Sequence, residues 1–293
     1  MNPERFEMEL IIAETAGFCM GVDMALHKLD NAVALPPRDA RIYTLGPIIH
    51  NPQVLARYKD MGVLQTDGSK PLNAGDVVVI RAHGIPRHVQ ADLEAQAVTI
   101  VDATCPKVKK AQILIQRQAD QNKHLLLFGE REHPEVQGLV SYASKHTVFE
   151  SLEELEAIRI DPAQTYFLAA QTTQDRESFN AVREYLVKHV DSDMTILDTI
   201  CMATKDRQEE VHELSRKVQA MIIVGGKNSG NTRRLAQIAQ ESGIFAIHIE
   251  TAAELPLKEL ARFSRIGLTA GASTPSWIIQ DVADLLRLTF PSS

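Results

Sequence analysis

Short apolar runs recur along the chain, and three of them end shortly before a cysteine. The segments are ELIIAETAGFC, VTIVDATC and TILDTIC, which end at Cys19, Cys105 and Cys201. Each cysteine is followed by a stretch with the periodicity of an amphipathic helix, namely MGVDMALHKLDNAV, PKVKKAQILIQRQA and MATKDRQEEVHELSRKV. The pattern therefore predicts that every cysteine lies in a turn between a strand and a helix.

Two further apolar runs follow in each of these three units. The second run of each unit ends at a glycine, namely Gly46, Gly129 or Gly225. A polar residue comes shortly after each glycine, namely His50, His133 or Ser229, and a helical pattern then begins. The third run of each unit ends in a polar loop that contains His83, Thr172 or Ser273. The same succession of strand, polar turn and helix thus occurs nine times in three similar units.

This internal repeat decides the predicted fold, because self-similarity of this size reports the architecture directly. Strands that alternate with helices form parallel sheets with right-handed crossovers. We expect three similar small α/β domains with mostly parallel sheets, near residues 1–97, 98–193 and 194–293. Such a repeat can form a linear array, and three units of this size can also close pseudo-threefold around a central cavity.

The polar turns all lie where ligands bind in open α/β sheets, beyond the carboxyl ends of the strands. Several also begin helices, as at Asn51-Pro52, His133-Pro134 and Cys105-Pro106. Helix N-termini present unpaired N–H groups and a positive dipole end, so several of them facing one cavity would hold a phosphate or diphosphate. The chain has neither a Walker A motif nor a GxGxxG motif, so electrons for any redox reaction would come from another protein or a reductant.

Composition narrows the class of protein. Lys and Arg number 31 against 38 Asp and Glu, which gives a net charge of −7 and argues against a nucleic-acid binder. No run of about 18 apolar residues is present, so we expect no membrane span. The N-terminal segment is acidic and lacks a long apolar stretch, so we expect that it is not a signal peptide and that the location is cytoplasmic. In that reducing compartment, three cysteines do not indicate disulfides.

Two of the candidate groups keep alternative interpretations at this point. The three cysteines suit an iron–sulfur cluster with one iron left for substrate, whereas scattered cysteines are otherwise buried structural residues or, less well, zinc ligands. Glu135 follows His133 and Pro134 at a helix start. It is either an acid that complements the helix dipole or a proton donor beside a substrate.

A specific resemblance adds to this picture. The chain contains AGFCMGV, GPIIHNPQV, AHGIP, DATCPKV, EREHPEVQG, QTT, DTIC and GKNSGNT in this order. This set resembles the LytB family of 4-hydroxy-3-methylbut-2-enyl diphosphate reductases, which catalyse the last step of the non-mevalonate isoprenoid pathway. The resemblance covers about residues 10 to 280, and it is specific because several of the motifs are long and rare.

The resemblance implies a function for each candidate residue. One [4Fe–4S] cluster per chain, with an open apical iron for the allylic hydroxyl group, would be held by Cys19, Cys105 and Cys201. The diphosphate would be bound by His50, His83, Ser229, Gly230, Asn231 and Ser273. Glu135 would supply protons, while Thr172 orients the hydroxyl group and His133 lies against the substrate. The implied products are isopentenyl and dimethylallyl diphosphate, and the implied partner is an electron donor such as ferredoxin or flavodoxin.

One departure from the family pattern concerns the diphosphate site. Many members carry two adjacent serines where this chain has Ser229-Gly230, so one hydroxyl contact is absent, although the N–H of Gly230 can serve. Two alternative functions remain open, a non-redox diphosphate-binding α/β protein and a non-enzymatic iron–sulfur sensor.

Overall fold

A computed structural model describes residues 8–37 and 39–291 of the chain. Within this part of the chain there are twelve strands and eleven α-helices, together with a short 3₁₀ helix at Ala252–Glu254. The strands are β1 (Glu9–Ile12), β2 (Ile42–Leu45), β3 (Leu64–Thr66), β4 (Val77–Ile80), β5 (Thr99–Asp102), β6 (His124–Phe128), β7 (His146–Phe149), β8 (Tyr166–Ala170), β9 (Thr195–Ile196), β10 (Ala220–Val224), β11 (Phe245–Ile249) and β12 (Arg265–Ala270).

The helices fill the connections between these strands. They are α1 (Met20–Ala34), α2 (Pro52–Asp60), α3 (Arg87–Glu94), α4 (Pro106–Ala119), α5 (Pro134–Val140), α6 (Leu152–Ala157), α7 (Arg176–His189), α8 (Met202–Ser215), α9 (Gly230–Glu241), α10 (Leu257–Leu260) and α11 (Ser276–Thr289). The three helices predicted after the cysteines are confirmed as α1, α4 and α8.

Three sheets of four parallel strands contain all of these strands, which confirms the predicted α/β class. The strand orders are β3-β2-β4-β5, β7-β6-β8-β9 and β11-β10-β12-β1. Every strand pair is parallel. Read in this direction, the three orders are equivalent: an edge strand, the strand before the glycine, the strand before the third polar loop, and the strand before a cysteine.

The strand before each cysteine lies in a different sheet from the one that the predicted boundaries indicate. Those boundaries, near 97/98 and 193/194, make it the first strand of its own domain. Instead, β5 pairs with β4, and β9 pairs with β8, so each completes the preceding sheet. β1 pairs with β12 and completes the last one. A repeat in sequence gives the period of the units but not their starting point, and a β-helix-β crossover places the cysteine strand beside the third strand. As domain limits, the predicted boundaries stay a prediction.

The fourth strand of each sheet was not predicted from the sequence. β3, β7 and β11 follow the helix after each glycine strand and lie at sheet edges. Their residues are LQT, HTVF and FAIHI, of which most are only partly buried or exposed. An edge strand contacts one neighbour instead of two, so its sequence lacks the continuous apolar run of a central strand.

The described residues divide into two compact units, here named the first unit and the second unit, which are distinct from the three repeats of the sequence. The first takes them from Met1–Cys19, His50–Val54 and Met202–Ser293, and it contains the sheet β11-β10-β12-β1. The second takes them from Met20–Ile49 and Leu55–Cys201, and it contains the other two sheets.

Both faces of the sheet β7-β6-β8-β9 are covered by helices. On one face Leu125 and Leu127 pack with side chains of α4 and α5, such as Ile115. On the other face Leu126 and Phe128 pack with side chains of α7. The alternation along β6 thus sets α4 and α7 on opposite faces of one sheet. No helix of the described residues is long and apolar enough to cross a membrane.

Candidate active site

The three cysteines occupy equivalent turns. The backbone N–H of each cysteine donates a hydrogen bond to a carbonyl group just beyond the third strand of its sheet. The acceptors are Ala272 for Cys19 at 3.1 Å, Ala82 for Cys105 at 2.9 Å and Thr172 for Cys201 at 2.9 Å. All three residues are half-buried, and all three carry a thiol that is not in a disulfide. The same contact therefore ties each cysteine to the third polar loop of the sheet that its own strand completes.

A buried carboxyl group lies at the centre of the polar loops of the second unit. Glu135 is 2% exposed, in the first turn of α5. The backbone N–H of Thr172 donates to its Oε1 at 2.6 Å, and the hydroxyl of Thr172 is 2.9 Å from its Oε2. Thr172 in turn accepts the N–H of Cys201. The carboxyl group is thus held at both oxygens by the loop that also fixes a cysteine.

Burial changes the acidity of this carboxyl group. Desolvation disfavours the charged form and raises the pKa of Glu135 from 4.5 to about 7, although the two hydrogen bonds from Thr172 act in the opposite direction. Near neutral pH the group is present in both protonation states, which a general acid requires.

Two histidines accompany Glu135 in the second unit. His133 is the N-cap of α5, and its Nδ1 accepts the backbone N–H of Glu135 at 3.2 Å. In the neutral ring the proton is then on Nε2, which makes that atom a donor. The rings of His83 and His133 meet edge to face with their centroids 5.3 Å apart. Gly138 of α5 lies against the loop of His83, since a Cβ at this position would be in ordinary van der Waals contact with the His83 carbonyl oxygen at 3.7 Å.

In the first unit, three polar loops meet around two serines. Ser229 is the N-cap of α9, where its hydroxyl accepts the N–H of Thr232 at 3.3 Å. The hydroxyl of Ser273 lies 3.5 Å from that of Ser229 and donates to the carbonyl of His50 at 3.2 Å. Gly226 packs directly on this same carbonyl, where a Cβ would collide with the oxygen. The loops of β2, β10 and β12 therefore come together at these residues.

Two buried amide groups in the same unit have donors to spare. Asn231, in the first turn of α9, is 5% exposed, and its Nδ2 has no hydrogen-bond partner among the described residues. Asn51 is fully buried; its Oδ1 accepts the N–H of Val54 at 3.0 Å, but its Nδ2 has no described partner either. A buried donor without an acceptor is costly, and an anionic oxygen would satisfy it. Asn51 was not among the predicted site residues. The sequence feature that could have indicated it is its position before a proline at the start of a helix.

The predicted site residues thus fall into two groups, each assembled within one unit. The second unit brings together His83, Cys105, His133, Glu135, Thr172 and Cys201 through the contacts above. The first unit contains Cys19, His50, Ser229, Gly230, Asn231 and Ser273, with Gly230 at the start of α9.

The donors in these turns fit an iron–sulfur cluster. Cysteine sulfur is the ligand that such clusters take, and each of the three half-buried turns presents one free cysteine side chain. A tetrahedral zinc site suits them less well, because the equivalent turns supply three sulfur donors and not four.

These features define a parallel α/β protein whose strand-to-helix turns carry thiols, imidazoles and a buried carboxyl group with a pKa of about 7. The model of the LytB protein family matches residues 10–287, and the chain belongs to that family. The assignment from the sequence motifs is therefore confirmed.

The relatives of this chain are reductases. It is 52% identical over 284 residues to the 4-hydroxy-3-methylbut-2-enyl diphosphate reductase of Solidesulfovibrio magneticus, an alignment covering 96% of this chain and 99% of that protein. It is 41% identical to the reductase of the same name from Aquifex aeolicus, with 96% of each chain covered. Membership of this family makes the chain an oxidoreductase.

Two solved structures share the fold. The structure of the E-1-hydroxy-2-methyl-but-2-enyl-4-diphosphate reductase from Plasmodium falciparum matches with a TM-score of 0.90 at 25% identity, covering 96% of this chain and 88% of that one. A structure of (E)-4-hydroxy-3-methyl-but-2-enyl diphosphate reductase, the terminal enzyme of the non-mevalonate pathway, matches with a TM-score of 0.68 at 40% identity, covering 96% and 100%.

Proposed function

We propose that this chain reduces (E)-4-hydroxy-3-methylbut-2-enyl diphosphate to isopentenyl and dimethylallyl diphosphate. The carbon–oxygen bond of the allylic hydroxyl breaks, a carbon–hydrogen bond forms, and the hydroxyl leaves as water. The reaction consumes two electrons and two protons. The observation that carries the proposal is the buried Glu135 carboxyl, hydrogen-bonded to Thr172 and with a pKa of about 7.

The geometry around Glu135 indicates how a proton reaches the substrate. When Glu135 is protonated on Oε2, that atom donates to the hydroxyl of Thr172, whose own proton then points onward. A proton lost from the Thr172 hydroxyl to the substrate is replaced from Glu135. The ring of His133 supplies a donor at Nε2 beside this pair. Thr172 therefore relays the proton and orients the reacting hydroxyl, and His133 contacts the substrate.

The diphosphate is bound by donors that the fold holds ready. Its oxygens accept from the buried amide of Asn231, from the hydroxyls of Ser229 and Ser273, and from the N–H groups at the start of α9, including Gly230. His50 and His83 add imidazole donors. These contacts, remote from the reacting carbon, supply binding energy that fixes the substrate for reaction.

The electrons require a cofactor. We propose one [4Fe–4S] cluster per chain with Cys19, Cys105 and Cys201 as its protein ligands. An iron without a protein ligand supplies a Lewis acid and an electron source at one point. A separate electron-carrier protein such as a ferredoxin or flavodoxin is the donor. The cytoplasmic location stays a prediction.

Turnover under anaerobic conditions tests the function. Iron-reconstituted protein is mixed with the allylic diphosphate and dithionite-reduced methyl viologen, and viologen oxidation and both products are measured. We expect turnover, and we expect E135Q to lose about 100-fold or more of it, the usual contribution of a general acid. E135Q should still bind the substrate, because the amide keeps the shape of the carboxyl group.

Iron-loaded protein that oxidises no viologen in the presence of substrate would contradict the proposed function. A pure diphosphate-binding protein would bind the substrate without consuming electrons, and a sensor would carry the cluster without binding the diphosphate. Near-normal turnover by E135Q would remove Glu135 from the mechanism but leave the reaction itself in place.

A further inference from the structure

A groove of about 520 Å³ lies in the second unit beside the turn of Cys105. Thr104 and Pro106, the two neighbours of this cysteine, form part of its lining. The other lining residues belong mainly to α1 and α4. None of the predicted substrate-binding residues lines the groove.

The groove is basic although the chain as a whole is acidic. Its lining includes the cations Lys28, Lys109, Lys110 and Arg117, with Asp102 as the one carboxylate among the lining residues. Asp102 is already engaged: its carboxylate pairs with Lys109 at 2.8 Å, and its carbonyl accepts from Lys28 at 2.6 Å. Lys110 and Arg117 point to solvent from α4, a helix without any acidic residue. This local charge contrasts with the net charge of −7.

Apolar side chains lie between these cations. Ile113, one turn from Lys110 and from Arg117 on the same face of α4, is 50% exposed. Met24 and Leu114 extend the apolar floor. An exposed apolar centre with a cationic rim is the composition of a protein docking surface, and a small one suits a transient complex.

We infer that this groove is the docking surface for a small acidic one-electron carrier protein. The inference rests on the proposed function, because only a redox reaction needs such a partner beside Cys105. The carrier binds in its reduced form, gives up one electron and leaves oxidised, so two carrier molecules serve each substrate. The charge complementarity steers encounter and orients the carrier toward the cysteine turn.

The test compares two electron sources with the same iron-loaded enzyme. The variant K110E/R117E reverses two exposed charges of the groove. The matched control R183E/K188E changes the net charge equally on α7, which covers the opposite face of the sheet β7-β6-β8-β9. One source is an acidic flavodoxin that supports wild-type turnover, and the other is dithionite-reduced methyl viologen.

With flavodoxin, we expect K110E/R117E to raise the KM for the carrier roughly tenfold or more and to flatten the dependence of the rate on ionic strength. Turnover with viologen should stay at the wild-type level, and the control variant should match the wild type with both sources. If K110E/R117E retains less iron, the neutral variant K110Q/R117Q is used and should show the same change in smaller degree.

Two results would overturn the docking proposal: an unchanged KM for flavodoxin in the groove variants, or an equal rise in the control. A different result is a wild-type enzyme that does not turn over with viologen. That result would contradict the proposed reaction and not the docking surface.

Discussion

At the scale of single residues, burial decides what the polar side chains can do. Glu135 sits in the first turn of a helix, where an exposed glutamate is simply an acid at the positive end of the dipole. Here it is 2% exposed, and its pKa rises to about 7. The sequence left both interpretations of Glu135 open, and only its burial against Thr172 favours the proton donor.

The raised pKa of Glu135 predicts a pH-dependent stability. The folded protein holds this proton more tightly than the unfolded chain, so the contribution to stability is fully present below about pH 4.5 and is lost as pH rises through about 7. Because E135Q mimics the protonated form of the carboxyl group, it should not lose this contribution to stability as pH rises. We expect the unfolding temperature of E135Q to match the wild type at pH 5 and to exceed it at pH 8.5.

Thermal unfolding of the cluster-free protein at both pH values measures this difference. Equal unfolding temperatures of E135Q and the wild type at pH 8.5 would contradict the raised pKa of Glu135, because ionisation of the carboxyl group would then cost the folded protein no stability.

Asn231 and Ser229 should separate stability from binding. Asn231 has a buried donor without a described acceptor, so N231A removes a desolvated group and should not lower the unfolding temperature. Ser229 caps α9, so S229A should cost about 1 kcal/mol of stability. Both variants should raise the KM for the diphosphate substrate. Calorimetry of the substrate-free protein and steady-state kinetics test the pair; N231A with an unchanged KM would contradict the proposed diphosphate site.

At the scale of elements, α8 fixes the loop that leads to Cys19. The carboxylate of Glu210 accepts the backbone N–H groups of Glu14 at 2.6 Å and Thr15 at 3.0 Å, as well as the hydroxyl of Thr15. Arg207, which is 5% exposed, donates to the carbonyl of Gly17 at 2.8 Å. The helix that begins after the third cysteine therefore orders the turn of the first.

This clamp on the Cys19 loop can be tested on α8 itself. E210A leaves two backbone N–H groups without their acceptor and should lower the free energy of unfolding by about 2 kcal/mol. The control E209A removes an exposed ion pair with Lys205 and should cost about 0.5 kcal/mol or less. Urea denaturation of the cluster-free protein compares the two. A similar small loss in both variants would show that Glu210 does not hold the loop.

At the scale of the whole molecule, threefold equivalence of the cysteine turns predicts equivalent effects of substitution. Anaerobically purified wild-type protein should contain about four iron and four sulfide per chain, with broad visible absorption. C19S, C105S and C201S should each lose this absorption to a similar extent, because each removes one of three matching ligands. Iron and sulfide analysis measures this. Retention of a full cluster in any one variant would remove that cysteine from the ligand set.

The extent to which the sequence predicts the fold differs between elements. The helices after the cysteines and the central strands such as β6 and β10 are confirmed, because a buried element needs an unbroken apolar pattern that can be read directly. The edge strands β3, β7 and β11 were missed, since one-sided burial leaves a mixed pattern. The sheet that each cysteine strand completes was not predicted, because strand pairing is not encoded in the period of a repeat.

The sequence by itself determined the threefold repeat, the parallel α/β class, the turns that carry the candidate residues and, through its motifs, the family. These properties depend on local periodicity and on residue order, both of which are explicit in a single chain. Only the tertiary structure decided which strands share a sheet, that β1 completes the last sheet, and that Glu135 and Asn231 are buried. It also decided that the cations of α4 line a groove with Lys28 of α1. Each of these depends on residues far apart in sequence, whose distance and desolvation are fixed only when the chain folds.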